Sequence, residues 1–226
     1  MRRRVVLVGG LVMGLAAPRI TRSASPPVVL ELFTSQGCSS CPPADALLGE
    51  LAKRPDVIAL AWHVDYWNKL GWKDPYASRQ WTDRQRAYAQ QLREDVYTPA
   101  LVVNGAAMVI GSDRRAVTRA MAETPAPSVA VSLRRTPSGL EARSTAWPTG
   151  AAALLVTYDP ENATAVGAGE NVGRHLTEYR IVREARDIAL ANGPIALPPV
   201  QPRQGAALLI RDAAWRLLGA ADLPPG

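Results

Sequence analysis

The 226-residue chain has two cysteines, and they stand three positions apart as Cys38-Ser39-Ser40-Cys41. At that spacing the two sulfurs can reach bonding distance. A bridge so short closes almost no loop, so it constrains the unfolded chain little and contributes little stability. Reversible thiol–disulfide chemistry is the better reason for the pair; a small structural disulfide is the alternative. If the pair lies where a strand passes into a helix, the free amides at the helix start favour a thiolate on the first cysteine. Cys38 is then the attacking residue and Cys41 the resolving residue that closes the bridge and releases the partner. Pro42-Pro43 acts against this. Each proline pushes the residue before it out of helical angles, so a regular helix is expected only from about Pro43, a step away from Cys38.

Other residues could join this chemistry. Thr98-Pro99 precedes a short apolar run, and only an X-Pro bond makes a cis peptide cheap. A cis Pro99 facing the cysteine turn would leave the backbone at Thr98 free to pair with an extended substrate peptide; a trans proline ending a helix is the alternative. His63 and Asp65 could shuttle protons to the cysteines. His63 could instead join Cys38 and Cys41 as a copper or zinc ligand. The plainest reading has His63 hydrogen-bonded in the core and Asp65 capping a turn. Four of the six tryptophans, Trp62, Trp67, Trp72 and Trp81, fall within twenty residues. They could line a groove beside the cysteines or simply build a core. Further on, Gly169-Glu170-Asn171-Val172-Gly173-Arg174-His175 is a polar cluster with glycines for a tight loop. It reads first as a structural turn docking two parts of the chain, and second as a binding site.

The elements that must position these residues follow from pattern. Residues 28–33 and 57–62 are short apolar runs of strand length. Between them, 34–43 is turn-rich, and 44–53 has Ala46, Leu47, Leu48 and Leu51 at helical spacing. Residues 66–77 read as a loop and 78–95 as a helix. Residues 100–103 and 107–110 read as strands around the hairpin signal Asn104-Gly105. Ser112 or Asp113 is placed to cap a last helix reaching about Ala122. The order strand, helix, strand, helix, strand, strand, helix is that of a thioredoxin core. The expected class is therefore α/β, a mixed sheet flanked by helices over residues 26–123. After a linker at 124–128, the pattern turns to strands at 129–133, 140–144, 151–158, 176–186 and 206–211, with Pro137-Ser138-Gly139 and Asp159-Pro160 as turns. A smaller, β-rich, sandwich-like domain is expected over 129–226.

The ends set the compartment. Arg2, Arg3 and Arg4 precede an uncharged stretch at 5–17, too short to span a bilayer comfortably but suited to a signal peptide, with small residues up to Ser25 for cleavage. Arg3-Arg4 loosely resembles a twin-arginine signal. An uncleaved anchor is the alternative. Residues 1–25 hold five arginines and no acid, so of 26 basic and 20 acidic residues, 21 and 20 remain after them, a net of +1. The basic balance belongs to the leader and gives no support for nucleic-acid binding. The expected place is the periplasm or outside the cell, with no stable membrane span after signal cleavage.

Together these segments resemble the bacterial family known as domain of unknown function 1223, a group of predicted secreted proteins similar in fold to the thioredoxin superfamily. The likeness rests on the run from Glu31 to Asp45, on His63-Val64-Asp65-Tyr66-Trp67, and on Leu70-Gly71-Trp72-Lys73-Asp74-Pro75. It continues through Gln85-Arg86-Ala87-Tyr88, Tyr97-Thr98-Pro99, Val103-Asn104-Gly105 and Gly111-Ser112-Asp113-Arg114. Gly169-Glu170-Asn171, Gly173-Arg174 and Leu218-Gly219-Ala220-Ala221 extend it into the second half. The resemblance supports the topology and implies no settled activity. The expectation is an exported thiol–disulfide oxidoreductase that needs no cofactor and acts on a protein or a small thiol or disulfide. Cys38, Cys41 and Pro99 carry it, with Thr98, His63, Asp65 and Trp67 as accessories. A metal-handling module and a non-catalytic interaction protein with a structural disulfide are the alternatives.

Overall fold

The computed structural model describes residues 26–226. The expected signal peptide at 1–25 lies outside the described residues. Strand β1 (Val28–Thr34) is buried along all but its first residue, as a strand covered on both faces must be. Its even-numbered leucines, Leu30 and Leu32, pack in one core with α1 (Pro42–Leu51) and α3 (Arg114–Glu123). Val29 and Phe33 point the other way, into a core with α2 (Arg79–Leu92). Strand β2 (Val57–His63) pairs parallel with β1, and its register sets Thr34 beside His63. On the other flank β3 (Ala100–Val103) runs antiparallel to β1, followed by β4 (Ala107–Ile110). Asn104 and Gly105, between them, both take positive φ, which these residue types tolerate best.

The caps explain the helix limits. Ser78 Oγ accepts from Gln80 N–H at the start of α2, and Asp113 accepts from Arg115 and Ala116 N–H at the start of α3. Helix α2 stops at Leu92 rather than at Asp95, because Arg93 turns left-handed with φ 59°. Helix α1 corrects the expectation of a late start. It begins at Pro42, and Cys41 already has helical angles, φ −78° and ψ −37°. Its carbonyl accepts from Ala44 and Asp45 N–H. Prolines at the first two helical positions forfeit only amides that a helix leaves unpaired there, and that outweighs their pressure on Cys41.

The second half contributes β5 (Val129–Thr136), β6 (Gly139–Ser144), β7 (Ala152–Ala165), β8 (His175–Ile188), β9 (Ile195–Leu197), β10 (Gly205–Arg211) and β11 (Leu217–Leu223). The sheet does not stop at the 124–128 segment. Its order is β4-β3-β1-β2-β8-β7-β10-β11-β5-β6-β9, eleven strands of mixed direction, with β8 joining β2 in parallel at Ala61↔Ile181. A third core, with Leu140, Leu155, Ile195, Leu208 and Ile210, fills the β-rich half. Asp159-Pro160 is not a turn. Strand β7 runs straight through it, with a register shift at Thr157/Tyr158 and Arg180 opposite at φ 56°. Such an irregularity lets a proline sit inside a paired strand. Strands β9 and β11 went unforeseen: β9 has three residues, and Gly219-Ala220-Ala221 gives β11 little strand signal. No described helix is long and apolar enough to cross a membrane.

Candidate functional site

Cys38 and Cys41 are joined by a disulfide at the passage from β1 into α1. Neither cysteine is exposed (0% each), while Ser39 and Ser40 between them face solvent. The turn is stitched by its own backbone: Cys38 N–H donates to Ser35 O, and Cys41 N–H to Cys38 O. Gly37 stands where a Cβ would meet Trp67 Cβ at 3.0 Å. Trp67 Nε1 in turn donates to Thr98 Oγ1 at 2.8 Å. The Thr98-Pro99 bond is cis. Register Phe33↔Ala100 sets Pro99 at the end of the sheet where β1 delivers the cysteine turn. Trp67, Thr98 and Pro99 therefore share that end with Cys38 and Cys41.

His63 is also there, but as part of something larger. Its Nδ1 lies 2.8 Å from Asp74 Oδ2, and that oxygen also accepts from Gln36 N–H at 2.9 Å. The Gln36 side chain donates to Glu178 Oε2 at 2.7 Å and to Thr164 Oγ1 at 3.0 Å, and accepts from Trp72 Nε1 at 2.9 Å. Asp45, one helical turn beyond Cys41, is buried in the same region. Four buried polar atoms here, Thr34 Oγ1, Asp45 Oδ1, His63 Nε2 and Glu178 Oε1, have no hydrogen-bond partner among the described residues. Buried polar atoms rarely go unpaired, and where they do a chemical reason is to be sought.

Electrostatics follow from that burial. Desolvation pushes the Asp45 carboxyl up to about 7; His63 opposes it, as does the neighbouring Thr34 hydroxyl, which lies outside good hydrogen-bond geometry, while Glu178 and Asp74 add to it. Burial alone would pull His63 down, but the Asp74 carboxylate, helped by Glu178 and Asp45, carries it up to about 9. Asp74 is held below the ordinary carboxylate range despite burial, because His63 and two backbone amides stabilise its charge. Burial raises Glu178. At neutral pH the cluster thus has a charged His63–Asp74 pair and an Asp45 poised between its two forms.

The other expected site residues separate cleanly. Asp65 is apart from the cysteines: its Oδ1 accepts from Thr82 Oγ1 at 2.6 Å and its N–H donates back to that hydroxyl at 3.0 Å, a cap beside α2. Trp62 and Trp81 pack edge to face in the α2 core, whereas Trp67 and Trp72 belong to the cysteine end. Among the described residues no three His, Cys, Asp or Glu side chains are arranged to hold a metal ion, Cys38, Cys41 and His63 included. A cleft of about 930 Å³ lies away from the cysteines, lined by Arg54, Val129, Leu133 and Asp222 among others. It holds none of the site residues, and its Arg180 is already bonded to Asp222.

Gln36, Asp45 and Asp74 enter the sequence reading only within the runs that carry the family resemblance, with no site role, and Glu178 does not enter it. The signal for Asp45 was an acid on the apolar stripe of its helix, beside Leu47 and Leu48. For Glu178 it was an acid at the inward period of β8, between Leu176 and Val182.

The family described as "Protein of unknown function (DUF1223)" matches over residues 29–209. The chain belongs to this family. A crystal structure of an Agrobacterium tumefaciens protein is similar to this DUF1223 chain at 30% identity and TM-score 0.77, covering 91% of this chain and 97% of that one. HBP35 of Porphyromonas gingivalis is similar in fold alone, at 14% identity and TM-score 0.57, covering 89% of this chain and 77% of that one. No curated protein matches the chain.

Proposed function

We propose that this DUF1223 protein is an exported thiol–disulfide oxidoreductase of thioredoxin-like architecture, working in the periplasm or outside the cell on a protein or small thiol or disulfide. The observation that carries the reading is the Cys38–Cys41 disulfide at a strand-to-helix turn beside a buried cluster with unpaired acid and imidazole atoms. A disulfide serving stability alone has no use for a costly cluster of that kind. The element order up to α3 agrees with the architecture.

In the disulfide state a substrate thiolate attacks Cys38 Sγ. The Cys38–Cys41 bond breaks, a mixed disulfide forms, and Cys41 leaves as a thiolate that takes a proton from the Asp45 cluster. A second substrate thiolate attacks the substrate sulfur and releases Cys38. Two electrons have passed from substrate to protein, and the reverse sequence reduces a substrate disulfide. Trp67, Thr98 and Pro99 shape the approach.

Cys38→Ser is expected to abolish exchange with a model protein disulfide, while Cys41→Ser accumulates mixed disulfides visible on non-reducing gels. Absence of exchange by the wild type in every glutathione redox buffer contradicts the reading. One observation favours a second reading, an inert disulfide in an interaction protein: both cysteines are fully buried. A reduction potential below about −300 mV would select it.

A further inference from the structure

The loop between β7 and β8 crosses from the β-rich half onto the cysteine turn. Asn171, only 1% exposed, donates both hydrogens of its amide, to Gln36 O and to Cys38 O, each at 2.9 Å. Arg174 Nη1 donates to Asn171 Oδ1 at 2.9 Å, which fixes the amide's orientation. Glu170 Oε2 accepts from Ser39 N–H at 3.0 Å. Gly169 and Gly173 take φ of 76° and 79°, and Gly167 and Gly169 lie against Trp72, so the loop has an anchor independent of Asn171.

We propose that Asn171 and Glu170 are positioning residues that hold the Cys38 turn in its disulfide form and restrain its reduction. The proposal rests on reading Cys38–Cys41 as an exchanging pair. Reduction takes the sulfurs from about 2 Å to non-bonded separation. Cys41 cannot give way easily, since its carbonyl is bonded within the first turn of α1. The movement falls to Cys38, and Asn171 ties the main chain on both sides of it. Glu170 acts in the same direction. It sets a negative charge one residue from Cys38 and occupies an amide that a thiolate there would otherwise use. The charged groups around this turn are Glu170 and Arg174 on the loop, Asp45 on α1, His63 ending β2, Asp74 after it and Glu178 on β8.

The test uses the full mature chain. Asn171→Leu keeps the volume and removes both donors without adding charge. It is expected to be reduced by dithiothreitol at least tenfold faster than wild type, and to shift at least tenfold toward the dithiol in glutathione buffer, about 30 mV for a two-electron couple. Glu170→Gln keeps an acceptor and removes the charge, and is expected to lower the Cys38 thiol pKa, read from thiolate absorbance. Unchanged reduction rate and equilibrium in folded Asn171→Leu overturns the proposal. If that variant does not fold, an unchanged thiol pKa in Glu170→Gln overturns it. Dithiothreitol reduction needs no physiological partner, so these outcomes are separate from any failure to find catalysed exchange.

Discussion

The two faces of the sheet each bury a charged cluster, and the two are built to opposite rules. On the α2 face, Glu31 of β1 receives Arg84 through both carboxylate oxygens, at 2.7 and 3.0 Å, and Tyr88 donates its hydroxyl to the same group. The guanidinium lies 4.7 Å from the Trp62 ring centroid. That network is closed: neither Glu31 oxygen is left without a donor. On the α1 face, Asp45, His63, Asp74 and Glu178 are as deeply buried, with one imidazole set against three carboxyls and three of the four residues keeping an unpaired atom. A closed bidentate pair fixes geometry. An open cluster costs stability and holds a proton that can leave. Only the open one lies beside the disulfide.

Breaking the closed network gives the largest expected effect. Arg84→Ala leaves the buried Glu31 carboxylate without its counter-charge, held by the Tyr88 hydroxyl alone, and should cost about 3–5 kcal/mol in chemical denaturation. Its reduction potential should match wild type, since α2 lies across the sheet from the cysteines. A shifted potential would mean that the two faces are not independent.

The open cluster should respond to pH instead, with a smaller effect at any one pH. Asp45 has a folded pKa of about 7 against 3.8 for an ordinary aspartate, so its proton stabilises the fold fully below about 4 and that contribution is lost as pH rises to 7. His63, raised from 6.5 to about 9, loses its contribution between those values. Asp45→Asn should therefore reduce the fall in melting temperature between pH 4 and 7 to the part that Glu178 supplies, and leave the fall between 6.5 and 9. Parallel melting curves for the two proteins across the lower range would deny Asp45 its role.

How much of this was legible depends on distance along the chain. The pair Cys38 and Cys41, the strands around them and the Ser78 and Asp113 caps are local patterns, and the sequence carries them openly. Pro42 misled, because its effect on Cys41 competes with its fitness for a helix start. His63 was visible as a residue, but its role was not, because Asp74 and Gln36 reach it only through the fold. Glu178 and Asn171 come from more than 130 positions beyond Gln36. No local pattern connects them to it; the pairing of β8 with β2 does. Asp159-Pro160 showed the converse, a turn signal overruled by an irregularity in a long hairpin.

The most direct test of the account is the reduction potential of Cys38–Cys41 measured from pH 5 to 9 in the wild type and in Asp45→Asn. The account predicts a potential above about −300 mV at pH 7, with an inflection near pH 7 in the wild type that Asp45→Asn lacks. A potential well below that value, with superimposable pH curves, would contradict it.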